Sequence, residues 1–226
     1  MHREIAVRVD EWKTRLPETE RIEHLLVAAE LGVSHEELNL AYACLMPLVV
    51  YHPKSAAHCL RVGGLAGRIA RYLREEATLT FIGGTIHDVG KVGTPRRILD
   101  ATTLTPEDHR KYIVPHVELG YQLVRQALPE PAECLKHHHR FRRRNPYPEE
   151  LPQPDEPYSA DREAYHKYLG SLIALADYVD AMRTRANDKF GEKPPSHKDR
   201  LRFLYEDHAH IEDELKRLIA DGIIRV

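Results

Sequence analysis

Apolar positions recur at helical spacing through almost the whole chain. Ile5, Val9 and Trp12 share one helix face, and Ile22, Leu25, Leu26 and Ala29 share one face of a second helix. Gly32 is placed to stop that second helix. Ser34, with Glu37 three residues later, reads as a capping box opening a third helix whose stripe is Leu38, Ala41, Tyr42, Leu45 and Leu48. Further helices are predicted over residues 55–73 and 79–89. Gly90, Gly93 and Pro95 predict a loop over residues 90–105. Thr105 then caps a helix with Pro106 at its first position, expected to reach Leu128 with a bend or restart at Pro115. Five prolines between Asn145 and Tyr158 predict a long loop. A helix over residues 160–185 turns Leu169, Leu172, Ile173, Ala176 and Val179 inward, and a last helix spans residues 197–220. No strand alternation of useful length and no internal repeat is present, so the expected class is all-α.

Composition narrows this picture. The 226 residues are 42% hydrophobic and 30% charged, the balance of an ordinary globular protein. No apolar run approaches the ~18–20 residues that span a bilayer, so no membrane partner is expected. The first thirteen residues lack the apolar stretch of a secretory signal. A net charge of −2 supplies no general attraction to nucleic acid. Cys44, Cys59 and Cys134 are odd in number and form no CxxC pair; they read as reduced thiols, which places the protein in the cytoplasm. Histidine is the unusual residue, at fifteen positions. Neutral imidazole is the commonest metal ligand.

The sharpest local signal is His87-Asp88-Val89-Gly90-Lys91. A histidine and an aspartate side by side at a helix end can aim two different ligands at one site, and the two oxygens of Asp88 can bridge two cations. Gly90 allows a sharp turn and Lys91 offers positive charge to an anionic substrate. An HD pair alone is weak; its company strengthens it. His58 lies on the preceding predicted helix, His116 opens His-Val-Glu-Leu-Gly, His137, His138 and His139 follow, and Asp177 sits among apolar neighbours in Leu-Ala-Asp-Tyr-Val-Asp. Imidazoles and carboxylates from several helices suit a buried dinuclear site.

The order His58, His87-Asp88, Asp177 resembles the HD superfamily of metal-dependent phosphohydrolases. HDVGKVGTPRRIL, LTPEDHRKYIVPHVELGYQLV and LIALADYVDAM are similar to its HD-GYP subgroup, whose better-known members hydrolyse cyclic di-GMP. The likeness covers roughly residues 51–190, so residues 1–50 are expected to be an N-terminal helical extension and residues 51–226 the phosphohydrolase domain. The subgroup's HHE-x-W-D-G-x-GYP segment reads HHRFRRRNPYP here: the paired histidines and the Tyr-Pro align, while the glutamate, the aspartate and both glycines are replaced. This gapless register pairs His138 with His139 and is preferred; pairing His137 with His138 needs a one-residue insertion. A glutamate that three-metal members carry four residues before the first histidine is Lys54 here, so the resemblance implies two metals.

The resemblance implies an HD-domain helical bundle with a dinuclear site in its core. One metal would take His58, His87, Asp88 and Asp177; the other would take Asp88 as bridge with His116, His138 and His139. A hydroxide held between two divalent cations ~3.5–4 Å apart would attack phosphorus in line. Asp88 and Lys91 are the catalytic candidates. Lys91 would also clamp a phosphoryl oxygen, and Arg185, with Lys189, lies near the subgroup's basic substrate contacts. The mixed imidazole and carboxylate shell suits Fe or Mn, and less specifically Ni, Co or Zn. Asp180, one turn past Asp177, reads as a partner of a ligand rather than a ligand.

The expected function is therefore hydrolysis of a phosphoester, with a cyclic dinucleotide such as cyclic di-GMP as the leading substrate. A nucleotidase or phosphomonoesterase is a second enzyme reading and a diiron oxygenase a third, which Lys91 disfavours. From a different class comes a signalling module that binds a nucleotide or a partner protein through loop 140–145, where Arg140, Arg142, Arg143 and Arg144 are otherwise a solvated face. Oligomerisation is compatible with all of these.

Overall fold

Capping signals act where the sequence puts them. Gly32 takes a left-handed φ of 73° and ends the first helix. Ser34 then accepts from the Glu37 N–H at 3.2 Å, while the Glu37 carboxylate accepts from the Ser34 N–H at 3.0 Å. His52 caps the next helix through its side chain, with Pro53 at the first position. A computed structural model describes residues 14–142, 145–184 and 196–225. Its helices are α1 (Glu18–Leu31), α2 (His35–Tyr51), α3 (Pro53–Leu73), α4 (Ala77–Ile86), α5 (His116–Val124), α6 (Pro129–Leu135), α7 (Ala160–Thr184), α8 (His197–Asp207) and α9 (Glu212–Ala220). No strand occurs among the described residues, and the chain is all-α. The Ile5–Val9–Trp12 face, Arg185, Lys189, Arg143 and Arg144 lie outside the described residues.

α3 runs through the middle, buried along most of its length. Its crossing with α4 depends on small residues: a methyl on Gly84 would lie 2.9 Å from the Gly63 Cα. One apolar cluster joins Val27 of α1 and Leu45 and Leu48 of α2 to Leu60, Phe81, Ile86, Tyr121 and Leu135. A second joins Ile69 of α3 to Leu169, Leu172, Ile173 and Val179 of α7 and to Leu204, Leu215 and Leu218 beyond it. Residues of α1 and α2 thus share a core with the chain after residue 50.

Several expected elements differ. The apolar stripe of α1 points outward: Ile22, Leu25 and Leu26 are 50%, 47% and 64% exposed, and Ala29 is exposed too. The buried face is His24, Val27 and Ala28. It packs on the glycine face of α3, where Leu31 would meet a methyl on Gly67 at 2.5 Å. His24 completes that face by hydrogen bonding to the Tyr42 hydroxyl and to Thr85 Oγ1, both at 2.9 Å. The expected loop 90–105 holds a 3₁₀ turn, Val89–Gly93, and a one-turn helix, Arg96–Leu99. The helix predicted over residues 106–128 is divided into Pro106–Asp108, a π turn His109–Ile113 and α5, which ends at Val124; the break falls at Pro115, which has no N–H to give. α6 was not predicted, yet Pro129 sits at its first position, where proline is tolerated. The last predicted helix breaks at His208, which leaves helical geometry, and a 3₁₀ turn, Ala209–Ile211, leads into α9.

Candidate metal centre

The turn after α4 puts His87 and Asp88 at the base of the bundle. Gly90 is required there because the 3₁₀ turn lies against the start of α5: a methyl on Gly90 would sit 1.9 Å from the His116 carbonyl oxygen. That contact carries His116 to the cluster. α6 ends at Leu135 and the following turns deliver His138 and His139, while α3 supplies His58 and α7 supplies Asp177. All seven side chains are buried, the most exposed being Asp177 at 9%.

Six of the seven fall in two groups that share Asp88: His58, His87 and Asp88 in one, and Asp88, His116, His138 and His139 in the other, with Asp177 in neither. The two oxygens of Asp88 divide accordingly. Oδ2 lies 3.7 Å from His58 Nε2 and 3.4 Å from His87 Nε2. Oδ1 lies 3.2 Å from His116 Nε2 and 3.9 Å from His138 Nε2. Asp177 spans the same gap, with Oδ1 3.0 Å from His58 Nε2 and Oδ2 4.0 Å from His139 Nδ1. His137 is buried but lies outside both groups.

Local backbone chooses which nitrogen faces inward. The Nδ1 atoms of His87, His116 and His138 pair with the carbonyls three residues earlier, Gly84 at 2.7 Å, Ile113 at 2.6 Å and Leu135 at 2.5 Å. A carbonyl only accepts, so each Nδ1 carries the proton and each Nε2 presents a lone pair. His58 does the same against a carboxylate, Asp180 Oδ2, at 2.6 Å. His139 is turned the other way, with Nδ1 toward Asp177.

Four buried atoms here, His58 Nε2, His87 Nε2, Asp88 Oδ1 and His139 Nδ1, have no hydrogen-bond partner among the described residues, despite neighbours within ion-pair distance. Unpaired buried polar atoms are costly, and their convergence fits cations. The charge states agree. Burial alone would raise Asp88, but Lys91 and His87 outweigh it and hold the carboxyl well below its usual range. Burial is likewise outweighed at Asp177 by His58. Burial holds His138 and His139 neutral, helped by their cationic neighbours, and burial lowers His116. His87 runs opposite: burial would lower it, but the Asp88 carboxylate outweighs burial and raises it, favouring the imidazolium, whose proton a bound cation would have to displace.

Lys91 is buried with its ammonium on Asp88. Sequence reasoning missed what surrounds His139. Tyr147, 4% exposed, lies against it with ring centroids 4.4 Å apart and the rings tilted by 38°, and the Arg142 guanidinium lies 5.2 Å over the Tyr147 ring. Arg140 instead braces its own loop by donating to the Pro148 and Glu149 carbonyls. The aligned Tyr-Pro was the available signal for Tyr147; nothing in the arginine run separated Arg142 from Arg140.

Residues 56–182 match the HD domain family. The chain belongs to that family. Over 136 residues, 57% of its length, this HD-domain chain is 33% identical to a cyclic di-GMP phosphodiesterase of Thermotoga maritima, and it spans 34% of that relative. Two solved structures of the L. monocytogenes phosphodiesterase PgpH HD domain are also similar. The first is 18% identical with a TM-score of 0.48, over 79% of this chain and 85% of that one. The second, in complex with cyclic-di-AMP, is 20% identical with a TM-score of 0.48, over 80% and 84%. No described helix is long and apolar enough to cross a membrane.

Proposed function

We propose that this HD-domain chain is a metal-dependent phosphodiesterase acting on a cyclic dinucleotide. The observation that carries it is the division of the Asp88 oxygens between two groups of imidazoles. His58, His87, Asp88 and Asp177 would hold one divalent cation, and Asp88, His116, His138 and His139 a second, with Fe or Mn best matched to the donors. Such cations supply an activated water and neutralise phosphoryl oxygens. The protein's own part is orientation. The carbonyls behind His87, His116 and His138 fix the lone pairs. Lys91 and His87 hold the Asp88 carboxyl well below its usual range, and burial keeps bulk water away. Lys91 places a positive charge beside Asp88, where a phosphoryl oxygen would arrive. Arg142 adds a second positively charged side chain, over the Tyr147 ring, and Arg185 remains a substrate-contact candidate from the sequence alone. The cyclic dinucleotide is chosen because the curated relative acts on cyclic di-GMP.

A second reading is a signalling module that binds a nucleotide or partner protein without turnover. It draws on Tyr147, which covers His139 from the side of the rearranged arginine loop. One experiment separates the two: anaerobic purification with metal analysis, then turnover assays on cyclic di-GMP, a mononucleotide and a bis-aryl phosphate. The enzyme reading expects bound metal and cleavage of the cyclic dinucleotide, both abolished by the double substitution His87→Ala, Asp88→Ala. Metal without cleavage of any of the three favours the binding module. A double variant that cleaves as fast as the parent overturns the enzyme reading.

A further inference from the structure

His58 differs from the other imidazoles of the cluster in what stands behind it. His87, His116 and His138 each lean on a neutral carbonyl, whereas His58 Nδ1 donates to Asp180 Oδ2 at 2.6 Å. Asp180 is gripped in turn by Arg61, one turn along α3 from His58. Arg61 Nε reaches Oδ1 at 2.7 Å and Nη2 reaches Oδ2 at 3.0 Å, a two-pronged contact that matches the carboxylate plane. Arg61 Nη1 then lies 3.4 Å from Glu20 Oε1 on α1, and Thr184 Oγ1 lies 3.4 Å from Asp180 Oδ2. Asp180 is 6% exposed, so the carboxylate is fixed from every side.

We propose that Asp180, held by Arg61, is a positioning residue that strengthens cation binding at the His58 side of the cluster and not at the His116 side. A carboxylate behind an imidazole locks its tautomer and raises its basicity more than a carbonyl does, and such partners alter metal affinity substantially. Among His58, His87, His116 and His138, only His58 receives this support. Arg61 keeps the carboxylate ionised and oriented, so the His58 Nε2 lone pair stays aimed at the point between Asp88 and Asp177. The inference rests on the metal-binding part of the function proposed above. The bland alternative is an ion pair that merely ties α3 to α7. That pair would stabilise the fold and affect both cation positions alike.

The test is titration of the metal-free full chain with Co(II), followed by visible absorption and by calorimetry, with thermal unfolding of each metal-free variant recorded alongside. His58→Ala and His116→Ala identify which binding step belongs to which side. Asp180→Asn keeps the shape but removes the charge. It is expected to weaken the His58-side step by about 10–100-fold, to alter that step's absorption band, and to leave the other step unchanged. Arg61→Lys should restore more of that step than Arg61→Gln does. Equal affinity in Asp180→Asn and parent, or equal weakening of both steps, overturns the proposal. If Asp180→Asn does not fold, Arg61→Gln is read in the same way, and an unchanged His58-side step overturns it. A parent chain that takes up no cobalt sinks the metal reading itself, whereas a parent and variant that bind two ions equally well sink only this inference.

Discussion

At the scale of single residues, the cluster is organised by the atoms behind it. A carbonyl three residues back fixes three of its imidazoles, a carboxylate fixes a fourth, and the freed nitrogens face two aspartates, of which Asp88 also carries the Lys91 ammonium. Arg142 is the residue whose role is most specific to this chain, since it stands where the HD-GYP pattern has tryptophan. Its replacement by alanine should raise KM for a cyclic dinucleotide about tenfold, the worth of one charge-assisted contact, with kcat and metal content little changed, and Arg142→Lys should recover part of the loss. Steady-state kinetics on the metal-loaded protein decide this; an unchanged KM removes Arg142 from the substrate site. Outside the two ligand groups, burial lowers His24 and His137 to about 3. Their unfolded forms take up protons near pH 6.5, so between the two values the unfolded chain binds more protons than the folded one. Their contribution to stability is therefore complete above pH 6.5 and falls as pH drops toward 3, by at most about 1.4 kcal/mol per pH unit for each. Denaturant melts across this range should show that slope, and His24→Gln should make it shallower; an identical slope in the variant would contradict the assignment.

At the scale of elements, the site depends on how closely the Val89–Gly93 turn approaches α5. Gly90→Ala would force a methyl into the His116 carbonyl, displacing His116 from the shared carboxylate. A loss of about 1–3 kcal/mol in stability is expected, together with weaker metal uptake on the His116 side. A variant as stable as its parent and with full metal content would refute the close-approach argument. What the sequence disclosed about elements follows the strength of each local signal. The capping box at Ser34, the stop at Gly32 and the stripe of α7 were legible because each is set by short-range chemistry. The outward stripe of α1 was not, because the glycines of α3 and the partners of His24 decide which face is buried, and both are distant in sequence. α6 was hidden by prolines that read as breakers but occupy a first turn. For the site, the seven candidate side chains could be named in advance because ligand types recur in a fixed order. Asp180 was legible as a partner of a ligand, but the contact of Tyr147 with His139 and the grip of Arg61 on Asp180 became visible only once α3, α7 and the segment after α6 were seen side by side.

For the whole molecule, the cluster draws on α3, on the turn after α4, on α5, on the segment after α6 and on α7, so it joins both apolar clusters through one set of atoms. Metal bound there should act as a clasp on the entire fold. With free metal at a thousand times Kd, linkage adds about 4 kcal/mol per site, and removal by a chelator should lower Tm by roughly 8–16 °C for each site emptied in a chain of this size. An unchanged Tm after complete chelation would mean that the ions are peripheral. The central claim, one carboxylate shared by two cations, is tested most directly by anomalous diffraction at the metal absorption edge from crystals of the loaded protein. Two peaks ~3.5–4 Å apart are expected, with Asp88 between them, His58 and His87 on one and His116, His138 and His139 on the other. A single peak that Asp88 does not touch, or none within the cluster, would contradict it.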